Sequence, residues 1–322
     1  MSVDDRPMSG AELTGKADEF SFERYVENTR TGALGRNDAT RYAYSADVAM
    51  LRSFQRIRPV ELAAAAVVRT SKEMLVGQLL GQAVKVGPRQ FKRLHDIAEH
   101  CANVLSVPVP QIYVANSPMV NAYTFGTEEQ SFIVLHSALV DALEEDELRF
   151  VIGHETGHIQ NKHVVYGTAL MILTQSFSMI LGPLVEPALI ALRSWYRRAE
   201  ITCDRAGLLC SKDLDAGVSS FMKLAIGSKS LYQEMDVDEY LAQIEEGQTS
   251  IGRFTEFFAT HPFLPKRIQA LRTFAQSDLY QKHLGSGQEG GLSIEEVDER
   301  TSRIIAIVGE KNDTVGQAGS GT

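Results

Sequence analysis

Glu144-Glu145-Asp146-Glu147-Leu148-Arg149-Phe150-Val151-Ile152-Gly153-His154-Glu155-Thr156-Gly157-His158-Ile159 is the stretch on which the reading of this chain turns. Its run of acids suits the first turn of a helix, where the backbone dipole favours negative charge. Leu148, Val151, Ile152 and Ile159 then supply an apolar stripe, so the segment reads as an amphipathic helix. Residues four apart on a helix differ by about 40° in direction, so His154 and His158 project side by side and can chelate one ion. Glu155 sits close enough to act on a water at that ion. His163, five residues beyond His158, falls roughly 140° away from it and does not belong to the half-site.

A zinc site of this kind needs a third protein ligand and an open position. The candidate is Glu200, in Arg197-Arg198-Ala199-Glu200-Ile201-Thr202-Cys203-Asp204, where a second helix carries Glu and Asp at i and i+4. Glu200 would ligate, and Asp204, one turn on, would accept the free ring N–H of a histidine. Cys203 is read as a small buried thiol and not as a ligand.

Around these two helices the chain divides as follows. Residues 1–45 are polar without sustained period and read as a flexible or loosely docked extension. Residues 46–285 read as the domain that carries the candidate metal site. A helical stretch from Glu61 to Val86 is punctuated by Gly87-Pro88, and a second helix runs from about Arg89 to Leu105. Gln111–Ala115, Val120–Phe125 and Ser131–Leu135 read as three strands of a small antiparallel sheet beside the HExxH helix. The pattern is helical again to about Ala275. Residues 286–322 read as a linker-like tail around one apolar patch, Ile304 to Val308. The expected class is α+β, predominantly helical and zincin-like.

Composition narrows the function. The 322 residues are 44% hydrophobic and 23% charged with net charge -9, which suits a globular protein and offers no basic surface for nucleic acid. Met1–Gly10 carries two acids where an export signal would be basic, and the three cysteines have no close pairing, so the expected setting is cytoplasmic. Val164 to Val185 is free of charge, long enough for a membrane span. A single crossing there would put the histidines and Glu200 on opposite sides of a bilayer, so a buried or interfacial helical segment is expected instead.

His154-Glu155-Thr156-Gly157-His158, the segment from Arg197 to Gly207, and Thr260-His261-Pro262-Phe263-Leu264-Pro265-Lys266-Arg267-Ile268 together resemble, in order, the three signatures of the M48 peptidases, the gluzincin family that includes HtpX-type enzymes. The resemblance implies one zinc per chain on His154, His158 and Glu200, Glu155 as general base, and Asp204 behind the ligands. It also implies that Asn121-Ala122-Tyr123 belongs to the edge strand that binds substrate. The expected function is zinc-dependent endopeptidase. Glu155 would take a proton from water and pass it to the leaving amine, and His261 and Arg267 could approach the oxyanion. His261 could instead close on the zinc, and the Ile304 to Val308 patch could occupy the groove. The expected partner is an extended polypeptide, bound by β-augmentation. The alternatives are a non-catalytic zinc scaffold or peptide binder, and a peripheral membrane protease.

Overall fold

In the computed structural model the described residues are 41–176, 182–247, 264–286 and 290–306. Helix α1 is Ser45–Arg56 and α2 is Arg58–Gln82; strand β1 is Ala83–Lys85; α3 is Lys92–Leu105. Strands β2 (Gln111–Ala115), β3 (Ala122–Gly126) and β4 (Ser131–His136) follow, then the short α4 (Ser137–Ala142) and the HExxH helix α5 (Glu145–Gln160). The remaining described helices are α6 (Val164–Ser176), α7 (Gly182–Ser211), α8 (Leu214–Ile226), α9 (Lys229–Tyr232), α10 (Val237–Gly247), α11 (Leu264–Ala275), α12 (Asp278–Leu284) and α13 (Ile294–Ile305).

The sheet has four strands in the order β1-β2-β4-β3 and is mixed, which corrects the antiparallel expectation. β2 runs parallel to β4, and β1 and β3 pair antiparallel to β2 and β4. The reason lies in side-chain burial. Phe132, Ile133, Val134 and Leu135 of β4 are all buried, so this strand takes a central place and the less apolar β3 is left at the edge. β1 comes from the end of the segment expected to be wholly helical.

Helix α5 begins with a capping box: the Glu144 side chain accepts from the Glu147 N–H, and Glu147 Oε2 accepts from the Glu144 N–H at 2.7 Å. It packs along α7 with unusually close backbones. A methyl group at Gly157 would stand 2.8 Å from Ala206 Cβ, and one at Gly207 would stand 2.6 Å from the Phe150 carbonyl oxygen. Only glycine permits this approach, and the approach is what brings a carboxylate on α7 to the imidazoles on α5.

Both flanks expected to be loose contribute to the packing. Tyr42, Ala43 and Tyr44, placed in the extension, are buried. The linker-like tail contains α13, which starts with a Ser293–Glu296 capping box and packs on α11. The flanks meet each other: Ser45 donates its N–H to Asp298 Oδ2 at 3.0 Å, and the Tyr44 and Ser302 hydroxyls lie 2.6 Å apart. Between them Arg205, 1% exposed, ion-pairs with Asp298 Oδ1 at 2.8 Å and packs its guanidinium over Tyr44 and Phe274. Ile307 and Val308 of the apolar patch lie outside the described residues. Among the described residues no helix is long and apolar enough to cross a membrane, and the charge-free segment is split between α6 and the start of α7.

Candidate metal centre and active site

Helix α5 carries His154, Glu155 and His158, and α7 carries Glu200 and Asp204. The Glu200 carboxylate faces both imidazoles, with Oε2 3.6 Å from His154 Nε2 and Oε1 3.4 Å from His158 Nε2. All three side chains are buried. Ligand atoms about 2.0–2.1 Å from a shared tetrahedral centre lie about 3.3–3.4 Å from one another, so this donor set fits a zinc ion with little adjustment. A single zinc here would be held by His154, His158 and Glu200.

Each imidazole is gripped from behind. His154 Nδ1 is 2.9 Å from Asp204 Oδ1, the acceptor expected for it. Asp204 is held by Arg267, whose Nε donates to Oδ2 at 2.9 Å and Nη2 to Oδ1 at 2.5 Å. Arg267 Nη1 also reaches Glu200 Oε2 at 2.9 Å. Burial opposes its charge, but Asp204 and Glu200 outweigh that and hold it protonated. At least three of its donors thus contact carboxylates, while the sequence suggests that it could approach the oxyanion. His261 lies outside the described residues.

His158 is sandwiched differently. The Tyr196 ring stacks on it at 5.5 Å, and its Nδ1 lies 3.2 Å from Nδ1 of His163. A continuing helix would carry His163 away from the face that holds His158. The helix instead ends in a Schellman turn: Lys162 adopts φ 62°, and the His163 N–H returns to the His158 carbonyl at 2.9 Å. This reversal carries the His163 ring back under His158. The sequence marks it poorly, because a lysine and not a glycine occupies the left-handed position.

Burial opposes protonation of both ligand histidines, with opposite outcomes. For His154 the Glu200 and Asp204 carboxylates outweigh burial and the pKa rises above the ordinary imidazole value; for His158 burial prevails and it falls. Cys203 is fully buried 3.5 Å from His163 Nδ1. Burial, reinforced by Glu200, raises its thiol well above the ordinary range and favours the neutral S–H.

The open side of the centre is a cleft of roughly 650 Å³ lined by α5, α6, α2 and β3. Thr124 Oγ1 donates to Glu155 Oε2 at 2.6 Å, fixing the proposed base against the edge strand. The His136 N–H bonds the Asn121 carbonyl at 3.0 Å, so Asn121, Tyr123 and Phe125 turn their backbone groups toward β4. Ala122 and Thr124 turn theirs outward, to the cleft. Of the three residues expected to bind a peptide backbone, Ala122 is therefore the one in position; Asn121 and Tyr123 line the cleft, and Thr124 joins Ala122 in the strand pattern. The edge closes at Gly126, whose N–H donates to Thr168 Oγ1 at 3.0 Å.

Two imidazoles on one helix, a carboxylate from a second and a Thr124-bound glutamate at the mouth of a cleft are the donor set and neighbouring base that metal-dependent hydrolases use. The chain belongs to peptidase family M48, whose model matches residues 88–275. It is 35% identical to the plastoglobule-localized metallopeptidase 48, chloroplastic, of Arabidopsis thaliana, over 54% of this chain and 52% of that protein. A protease HtpX homolog of Helicobacter pylori is 29% identical over 51% of this chain and 60% of its own length. Protease HtpX of Haemophilus influenzae is 26% identical, covering 63% and 81%. The chain thus spans about half the length of the plastoglobule relative.

Proposed function

We propose that the chain is a zinc-dependent endopeptidase that hydrolyses extended or unfolded polypeptides laid along β3. The observation that carries this reading is Glu155, hydrogen-bonded to an edge-strand residue and adjoining a buried two-histidine, one-glutamate donor set. Zinc bound there supplies Lewis acidity and lowers the pKa of an attacking water. The chain's own residues do the rest. Ala122 and Thr124 offer backbone groups to a substrate strand, aligning a scissile bond over Glu155, which takes a proton from water and delivers it to the leaving amine. Arg267 ion-pairs with both Glu200 and Asp204 and holds them in place. Thr168 ends the pairing edge at Gly126, so a substrate strand must leave the sheet there. The three cysteines, all buried and free, suit a reducing cytoplasmic setting.

Casein or a quenched peptide tests this. Hydrolysis should require zinc and fall about 10²–10⁴-fold in Glu155→Gln with one zinc still bound. Equal turnover by that variant would sink the reading.

A further inference from the structure

A metal ligand histidine uses one ring nitrogen and must carry its proton on the other. His154 meets this need through Asp204. His158 has no carboxylate at its Nδ1; it has His163, at 3.2 Å. On the far side of that ring, His163 Nε2 stands 3.1 Å from Asp47 Oδ2, somewhat off the N–H direction. The three residues are at most 3% exposed. Asp47 is fixed in turn: Trp195 Nε1 donates to its Oδ1 at 2.9 Å, and the Thr202 hydroxyl to its Oδ2 at 2.6 Å.

We propose that Asp47 and His163 are positioning residues that form a tautomer relay for His158, so that the metal centre is set in part by a residue outside the 88–275 family region. The proposal rests on the metal reading of His154, His158 and Glu200. Two imidazole nitrogens at hydrogen-bond distance share one proton, and its location is dictated from Asp47 outward. A carboxylate only accepts, so His163 places its proton on Nε2, toward Asp47. That leaves a lone pair on His163 Nδ1, which accepts the His158 Nδ1–H. His158 then presents a bare Nε2 to Glu200 and the ion. The Cys203 thiol beside the same His163 nitrogen is a second, weak donor, which also calls for a lone pair there.

Replacing Asp47 by Asn inverts the logic. With Trp195 donating to the amide oxygen, the amide NH₂ falls on the His163 side, where it favours a lone pair on Nε2 and a proton on Nδ1. His158 must then accept on Nδ1 and carry its own proton on Nε2, where the metal has to bind.

The test is zinc affinity by chelator competition on the full chain, in a double-mutant cycle of Asp47→Asn and His163→Gln. Asp47→Asn should weaken zinc binding about 10–100-fold, the usual range for removing such an outer partner. On the His163→Gln background the same change should cost under about twofold, because the relay is already cut. An Asp47 that merely braced Trp195 and Thr202 would cost the same on both backgrounds, and that result overturns the proposal. If Asp47→Asn does not fold, ¹⁵N-histidine spectra of the zinc-loaded wild type decide. Protons on His158 Nδ1 and His163 Nε2 support the relay, and a proton on His163 Nδ1 overturns it. A second zinc that disappears in Cys203→Ser would make His163 a ligand and also overturn it. A wild type that binds no zinc would remove the underlying metal reading, which distinguishes that failure from failure of the relay.

Discussion

His154 and His158 lie one turn apart on the same helix with ring centroids 5.1 Å apart, yet the protein supports them by different means. Behind His154 stands a carboxylate, Asp204, locked by Arg267 from α11. Behind His158 stands a second imidazole, with the carboxylate of Asp47 one ring further away. The first arrangement lies wholly within the family-matched region; the second recruits α1 from outside it. The contrast teaches that proton placement on a ligand ring needs an acceptor, but the acceptor need not be charged if a charge stands behind it. It also explains why the two rings shift in opposite directions: both are disfavoured as cations by burial, but only His154 touches two carboxylates.

The largest effect should come from the residue that both rings share. Glu200→Gln should lose stoichiometric zinc on dialysis, read by metal analysis, and retention of tight zinc would mean that the two rings suffice without it. Next, Asp204→Asn should weaken zinc about 10–100-fold, and by more than Asp47→Asn, because it touches its ring directly. The reverse ranking would break the comparison. Gly207→Ala drives a methyl into the Phe150 carbonyl, and thermal unfolding should show a loss of about 1–3 kcal/mol as α5 and α7 are pried apart.

The opposite pKa shifts give a pH test. Because the His154 pKa is raised above about 6.5, a proton competes with zinc for that ring at and above this pH. Apparent affinity should therefore climb by up to about tenfold per pH unit through 6.5 and level only above the raised pKa. His158, shifted down by burial, gives up its proton at lower pH than His154. In the metal-free protein the sign reverses: the stability contributed by charged His154 is present below pH ~6.5 and is lost as pH rises through its folded-state pKa. Chelator competition from pH 6 to 8 reads the first effect, and a flat profile would contradict the shift. The smallest effect is at the turn that delivers His163. Lys162→Gly should raise stability by about 1 kcal/mol by relieving its left-handed backbone, seen as a higher melting temperature.

Much of the centre was legible because spacing on a helix is itself geometry. His154, Glu155 and His158 follow from one turn, and Glu200 with Asp204 from another. What escaped had long-range or turn-level causes. The parallel β2–β4 pair was hidden because β3, which follows β2 in sequence, is set at the far edge while β4 inserts between them. His163 was lost because regular periodicity was extended past a helix that had already ended. Asp47 sits 116 residues before His163 with no local pattern to mark it. α13 did carry a readable sign, the Ser293–Glu296 spacing of a capping box, which the surrounding glycines obscured.

The clasp of Tyr44, Arg205 and Asp298 has a temporal consequence. A ribosome releases α5 and α7 well before it makes residue 298, the partner of Arg205. The clasp is thus completed after both helices have been made. A nascent chain that already carries His154, His158 and Glu200 would still lack this clasp between its two flanks.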